Sequence, residues 1–92
     1  MLNFRHSSYT INKNLICLSH MDKNNFGNSL ILSLGKFSGG NLYIEGKKID
    51  IYRKPLQFNG AKQTHWTENF EGTRYTIVFY NIKTKNKIEN RK

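Results

Sequence analysis

Short apolar stretches alternate with Gly and Asn punctuation along this chain, and helical periodicity is hard to find. Runs rich in β-branched and aromatic residues fall at Ser8–Ile11, Leu15–Ser19, Ser29–Leu34, Asn41–Glu45, Ile49–Tyr52, Leu56–Phe58, Gln63–Thr67 and Arg74–Asn81. That is strand composition. The breaks between them carry turn chemistry. Asn12-Lys13-Asn14 parts the first pair of runs, Gly39-Gly40 parts the third from the fourth, and Glu71-Gly72-Thr73 closes the last loop. Glu45-Gly46-Lys47-Lys48 reads as a tight hairpin, and Asn59-Gly60 is the strongest short turn signal. Pro55, the only proline, suits an edge or a strand start because it cannot donate to a ladder.

Eight short strands at nearly regular spacing predict an all-β chain folded as a sandwich, jelly roll or barrel. There is no internal repeat. The expected organisation is one β-core over residues 1–82, followed by a polar, basic tail at 83–92.

A chain of 92 residues supports only a modest core, so a metal, a partner or an oligomer interface is expected to add stability. No apolar run approaches the roughly 20 residues of a membrane helix, and the start of the chain lacks the apolar stretch of a signal peptide. One cysteine, Cys17, excludes an internal disulfide and a Cys-based zinc site. Cys17 reads as a small buried hydrophobe. The simplest expectation is an intracellular setting, cytoplasmic or nuclear, with no membrane association.

The formal net charge is +9, and the tail concentrates part of it in Lys83, Lys85, Lys87, Arg91 and Lys92 against Glu89. A basic surface favours nucleic acid or another anionic partner through phosphate contacts. The alternative for the tail is plain solubilisation.

The candidate chemistry begins at His20-Met21-Asp22. On extended backbone an H-x-D sequence sets an imidazole and a carboxylate on one face, where both can ligate a divalent metal. His65 follows Asp22 by 43 residues and supplies a third ligand. Two histidines and one carboxylate form the facial set that leaves positions open on Fe(II), whereas a structural zinc site is closed by four ligands. Nine residues after His65 comes Arg74, and strand alternation groups Arg74, Thr76, Val78 and Tyr80 on one face. An inward arginine beside a hydroxyl can clamp a carboxylate through two parallel hydrogen bonds. The other reading of Arg74 is a surface ion pair with Glu68 or Glu71. Asn12 and Asn14 could hydrogen-bond a co-substrate or serve turns, and for Asn24 and Asn25 turn duty is the better reading. Trp66, on the opposite face from His65, is assigned to packing, with a platform for a base or sugar as the alternative.

H-x-D, a distal histidine and R-x-T one strand later together resemble the 2-oxoglutarate- and Fe(II)-dependent dioxygenase superfamily. Several blocks also look like small members of it, among them Ser33-Leu34-Gly35-Lys36-Phe37-Ser38-Gly39-Gly40 and Phe70-Glu71-Gly72-Thr73-Arg74-Tyr75. Some resemble its TET/JBP-type nucleic-acid-modifying branch. The resemblance implies a double-stranded β-helix, Fe(II) on His20, Asp22 and His65, and 2-oxoglutarate held by Arg74 and Thr76, with Asn12 beside them. It also implies hydroxylation or oxidative demethylation, with a nucleic acid or nucleotide as the favoured substrate. Relatives brace one sheet with helices ahead of the core, and here only nineteen residues precede His20. The core is therefore expected to be truncated at that support and covered by an oligomer or partner. Two rival readings stand: a non-catalytic basic β-barrel that binds nucleic acid, and a cupin-type metal enzyme that does not use 2-oxoglutarate.

Overall fold

In the computed structural model, which describes residues 6–82, the chain is all-β, with two antiparallel sheets and no helix among the described residues. Seven strands run in the order β1 (Ser8–Lys13), β2 (Ser29–Gly39), β3 (Leu42–Ile44), β4 (Lys47–Ile49), β5 (Leu56–Phe58), β6 (His65–Thr67) and β7 (Phe70–Tyr80). The first sheet has the order β1-β7-β2-β5 and the second β4-β3-β6.

The pairing is nested. The first strand lies against the last, with Ser8 opposite Tyr80 and Lys13 opposite Tyr75. β2 pairs with β5, and β3 with β4 across the Glu45-Gly46 turn. The stretch predicted as a strand at Leu15–Ser19 is not one. Its contact with β6 is limited to Thr67 N–H donating to Cys17 O at 2.9 Å and, just beyond the stretch, a reciprocal pair between His20 and His65 at 3.0 Å each way. Leu15, Ile16 and Leu18 are exposed, so apolar composition there marks something other than burial in a sheet.

Three further expectations are corrected. Glu71-Gly72-Thr73 closes no loop, because β7 begins at Phe70 and runs straight through it. Nor does β2 stop at Leu34, since it continues to Gly39. Gly35 and Gly72 make these long strands compatible. Their φ values are +115° and +111°, and a Cβ on either would lie 2.3 Å from a carbonyl oxygen of the partner strand. Glycine inside a strand here marks close backbone approach, where the sequence pattern suggested a break. Asn12 and Lys13, expected in a turn, belong to β1, and the turn falls on Asn14 at φ 55°.

The apolar core is small and lies between the sheets. Ile31, Leu42, Ile44, Ile51 and Phe58 are buried, with Ile49, Leu56 and Val78 packed against them. The remaining space between the sheets is a cavity, which β7 lines with Arg74, Thr76, Val78 and Tyr80. These are the four residues that alternation assigned to one face. The basic tail at 83–92 lies outside the described residues.

Candidate metal centre

Backbone pairing brings the two histidines together. His20 and His65 exchange both N–H···O bonds, and directly opposed residues on antiparallel chains present their side chains to the same side. Their rings lie 4.3 Å apart, centroid to centroid. Asp22 comes two residues later, its own N–H bonded to Gly60 O at 2.8 Å. Its carboxylate spans the pair, with Oδ1 3.2 Å from His20 Nε2 and Oδ2 3.2 Å from His65 Nε2. The three ligand atoms all lie within 4.8 Å of one another. Gly60 leaves room for this: a Cβ there would sit 3.2 Å from Asp22 Oδ2.

The outer nitrogens fix the tautomers. His20 Nδ1 lies 2.6 Å from Leu18 O and His65 Nδ1 lies 2.9 Å from Gln63 O. A carbonyl oxygen only accepts, so each Nδ1 carries the hydrogen and donates it. In the neutral imidazole that leaves the Nε2 lone pair aimed at the carboxylate. Two lone pairs and a carboxylate directed at one another repel unless a proton or a cation lies among them. Backbone-oriented imidazoles of this kind are the usual outer support of metal ligands. Ligands about 2.1 Å from a metal and at right angles stand about 3.0 Å apart, close to the two histidine–carboxylate separations.

Across the cavity lies Arg74. It is 2% exposed, and its Nε and Nη2 are buried without a hydrogen-bond partner. Its guanidinium sits 5.6 Å from the ring centres of Phe37 and Phe70, and Gly40 clears its path, since a Cβ there would lie 2.8 Å from Nε. Burial pushes this group below its ordinary arginine range. The expected alternative, a surface ion pair with Glu68 or Glu71, is absent among the described residues: Glu68 instead accepts from Asn41 and Tyr43 and lies 4.0 Å from Lys48. A buried cation without an anion costs several kcal/mol, so the cavity is built to receive negative charge.

Thr76 and Asn12 line the same cavity, with Asn12 Nδ2 donating to Thr76 Oγ1 at 3.5 Å. Asn14 does turn duty with consequences for the site. It sits in the left-handed region that asparagine tolerates, and its Oδ1 accepts from Arg74 N–H at 2.8 Å. Asn25 bonds back to Asp22 O in a turn, yet also reaches the cavity wall. Trp66 stacks on Tyr43 with ring centres 4.0 Å apart and an interplanar angle of 6°, on the face opposite His65.

Cys17 was read as a buried hydrophobe. It is half-buried on the cavity wall, and no neighbouring residue type in the sequence signals that position. Burial first, and then the Asp22 carboxylate, push its thiol above the ordinary value against a hydrogen bond with Thr67. Less thiolate is then present at pH 8, so iodoacetamide should modify Cys17 several-fold more slowly than free cysteine. Mass spectrometry over a time course checks this, and equal rates would contradict the described environment.

The cavity has a volume of about 320 Å³, within the range of small-molecule sites. Neither the known protein-family models nor the curated proteins contain a match to this chain.

Proposed function

We propose that this chain is the double-stranded β-helix core of a 2-oxoglutarate- and Fe(II)-dependent oxygenase. Support for the fold comes from the nested pairing. With the Cys17–His20 stretch counted as a strand beside β6, eight segments pair first with last, second with seventh, third with sixth and fourth with fifth. That is the wrapping of a long hairpin into a jelly roll.

One observation carries the functional reading. A single cavity has on one wall a cluster that calls for a cation, and on another a buried guanidinium that calls for an anion. A chelating keto-dicarboxylate beside a divalent metal meets both demands. His20, Asp22 and His65 would hold the iron. Arg74 would take the distal carboxylate in a charge-assisted pair, with Thr76 and Asn12 adding hydrogen bonds. Phe37 and Phe70 hold the guanidinium in place. Ile31, Leu42, Phe58 and Val78 line the cavity with apolar surface that excludes water. Bound there, iron and 2-oxoglutarate would supply oxidative decarboxylation to succinate and carbon dioxide, coupled to hydroxylation or oxidative demethylation of a substrate. The net charge of +9 favours a nucleic acid or nucleotide as that substrate.

The test is succinate formation from 2-oxoglutarate in air, with and without Fe(II), in the presence of single- and double-stranded oligonucleotides. Iron-dependent succinate is the expected result, and it should be lost in Asp22→Ala. Oligonucleotide binding without succinate under any condition would favour a non-catalytic basic β-domain instead.

A further inference from the structure

The inward face of β7 changes character along the cavity. Arg74 stands at one end, and Tyr80 lies six residues on, about 20 Å away at the rise of a strand. At the Tyr80 end the lining is neutral and hydrogen-bonding. Tyr80 Oη lies 3.1 Å from Thr10 Oγ1, and Asn25, whose backbone bridges to Ile82 just past Tyr80, also lines the cavity. Ser29 lies one step beyond the Leu30–Phe79 pair, level with Tyr80, and alternation turns it to the same face as the cavity-lining Ile31. Ser29 is 1% exposed, and its hydroxyl has no hydrogen-bond partner among the described residues. Buried hydroxyls are rarely left so. Each end of this face therefore carries a buried polar group without a partner, a cation at Arg74 and a neutral hydroxyl at Ser29. The metal ligands lie between these ends. Asn14 N–H donates to Arg74 O and Phe26 N–H to Asn81 O, and His20 and Asp22 are on the segment that joins them. From the third ligand, His65, an edge-on ring contact of 4.9 Å leads to Phe58, which pairs with Ser29.

We infer that the Tyr80 end is the subsite for the reacting part of the substrate, and that it takes an uncharged group which both donates and accepts hydrogen bonds. The inference rests on the oxygenase reading, in which 2-oxoglutarate occupies Arg74. At the Tyr80 end the lining then carries no charge: Thr10, Asn25 and Tyr80 are its polar side chains, and Ile31, Phe58 and Val78 are apolar walls. A phosphate, carboxylate or ammonium group buried there has no counter-charge, at a cost of several kcal/mol that excludes it. A nucleic-acid base meets the requirement. Its edge offers donors and acceptors together, and a carboxamide such as that of Asn25 satisfies one of each. The Thr10–Tyr80 pair shares one hydrogen and keeps another to donate. The apolar walls suit the flat faces of the base. Its phosphates stay outside the cavity, where the net charge of +9 attracts them.

The probes are adenosine, guanosine, cytidine and thymidine, with their monophosphates, added to the chain loaded with 2-oxoglutarate and with Mn(II) at less than one equivalent. Manganese broadens the magnetic resonances of nuclei close to it, so the spectrum reports which part of a probe enters. Base protons of at least one nucleoside should broaden. In its monophosphate, the distances to manganese should be shorter for base protons than for phosphorus. Tyr80→Phe, Asn25→Ala and Ser29→Ala each remove one hydrogen-bonding group and should each reduce the broadening about two- to tenfold. Uptake of Mn(II), followed by electron paramagnetic resonance, shows which variants keep their fold. Ser29→Ala should also melt no lower than the wild type without a probe, because its hydroxyl has no partner to lose, whereas a residue kept for structure would lower it. A wild type that takes up no Mn(II) brings down the metal reading itself. Uptake without broadening of any base overturns this inference alone. So does phosphorus closer to manganese than the base, or broadening that every folded variant keeps in full.

Discussion

Fe(II), or Mn(II) as a redox-inert substitute, should raise the melting temperature of the wild type and leave that of Asp22→Ala almost unchanged. The reason is mass action: an ion that binds the folded chain alone stabilises it by about 2.7 kcal/mol at a hundredfold excess over its dissociation constant. In a domain of this size that corresponds to about 10–20 °C. Asp22 is the residue to remove because its two oxygens reach both histidines, so its loss takes away the only anion in the cluster. Its side chain is partly exposed, and the β-sheet circular dichroism of the variant should stay near that of the wild type. A His6→Ala control, altered at a histidine that lies against Phe79, should keep the full rise. An equal rise in Asp22→Ala would mean that the ion binds elsewhere, and the metal reading would fall.

How far this site was legible in the sequence differs residue by residue. His20 and Asp22 share a face because of their spacing, which any reader of the chain can see. The reach of His65 to them depends on the second segment lying against the seventh, and only the nested topology supplies that. Alternation assigned Arg74, Thr76, Val78 and Tyr80 to one face correctly, since period two is a local property. The partners of Arg74 were beyond reach. Its backbone is held by Asn14 across sixty residues, and its side chain lies against Phe37 and Phe70. Glycine misled in the other direction. Gly72 was read as a break, because glycine is usually punctuation, yet it lies within a long strand, whereas Gly39-Gly40 does part β2 from β3. Leu15–Ser19 failed for a related reason: apolar residues outside a sheet look the same in sequence as those within one.

Arg74→Ala should bind 2-oxoglutarate roughly ten- to a hundredfold more weakly than the wild type. A bidentate, charge-assisted contact in a partly enclosed pocket contributes about 1.5–3 kcal/mol, and each 1.4 kcal/mol is about a factor of ten. Arg74→Lys keeps the charge and loses the planar fork, so it should fall between the two. Anaerobic titration in the presence of Fe(II) reads this through the metal-to-ligand charge-transfer absorbance of the chelated keto-acid. The metal-induced rise in melting temperature should survive in both variants, because Arg74 is not a ligand. Without ligands the order of stability should reverse. Arg74 buries a guanidinium with two unpartnered nitrogens, and replacing a buried charge with an apolar side chain of similar length is often neutral or stabilising, by about 1–4 kcal/mol. Arg74→Met should therefore melt at or above the wild type in the absence of 2-oxoglutarate, and gain little when it is added. A residue kept for structure alone would show the opposite: lower stability on replacement, and unchanged affinity for the keto-acid. That outcome would reduce the site to a metal-binding β-fold with no assigned co-substrate.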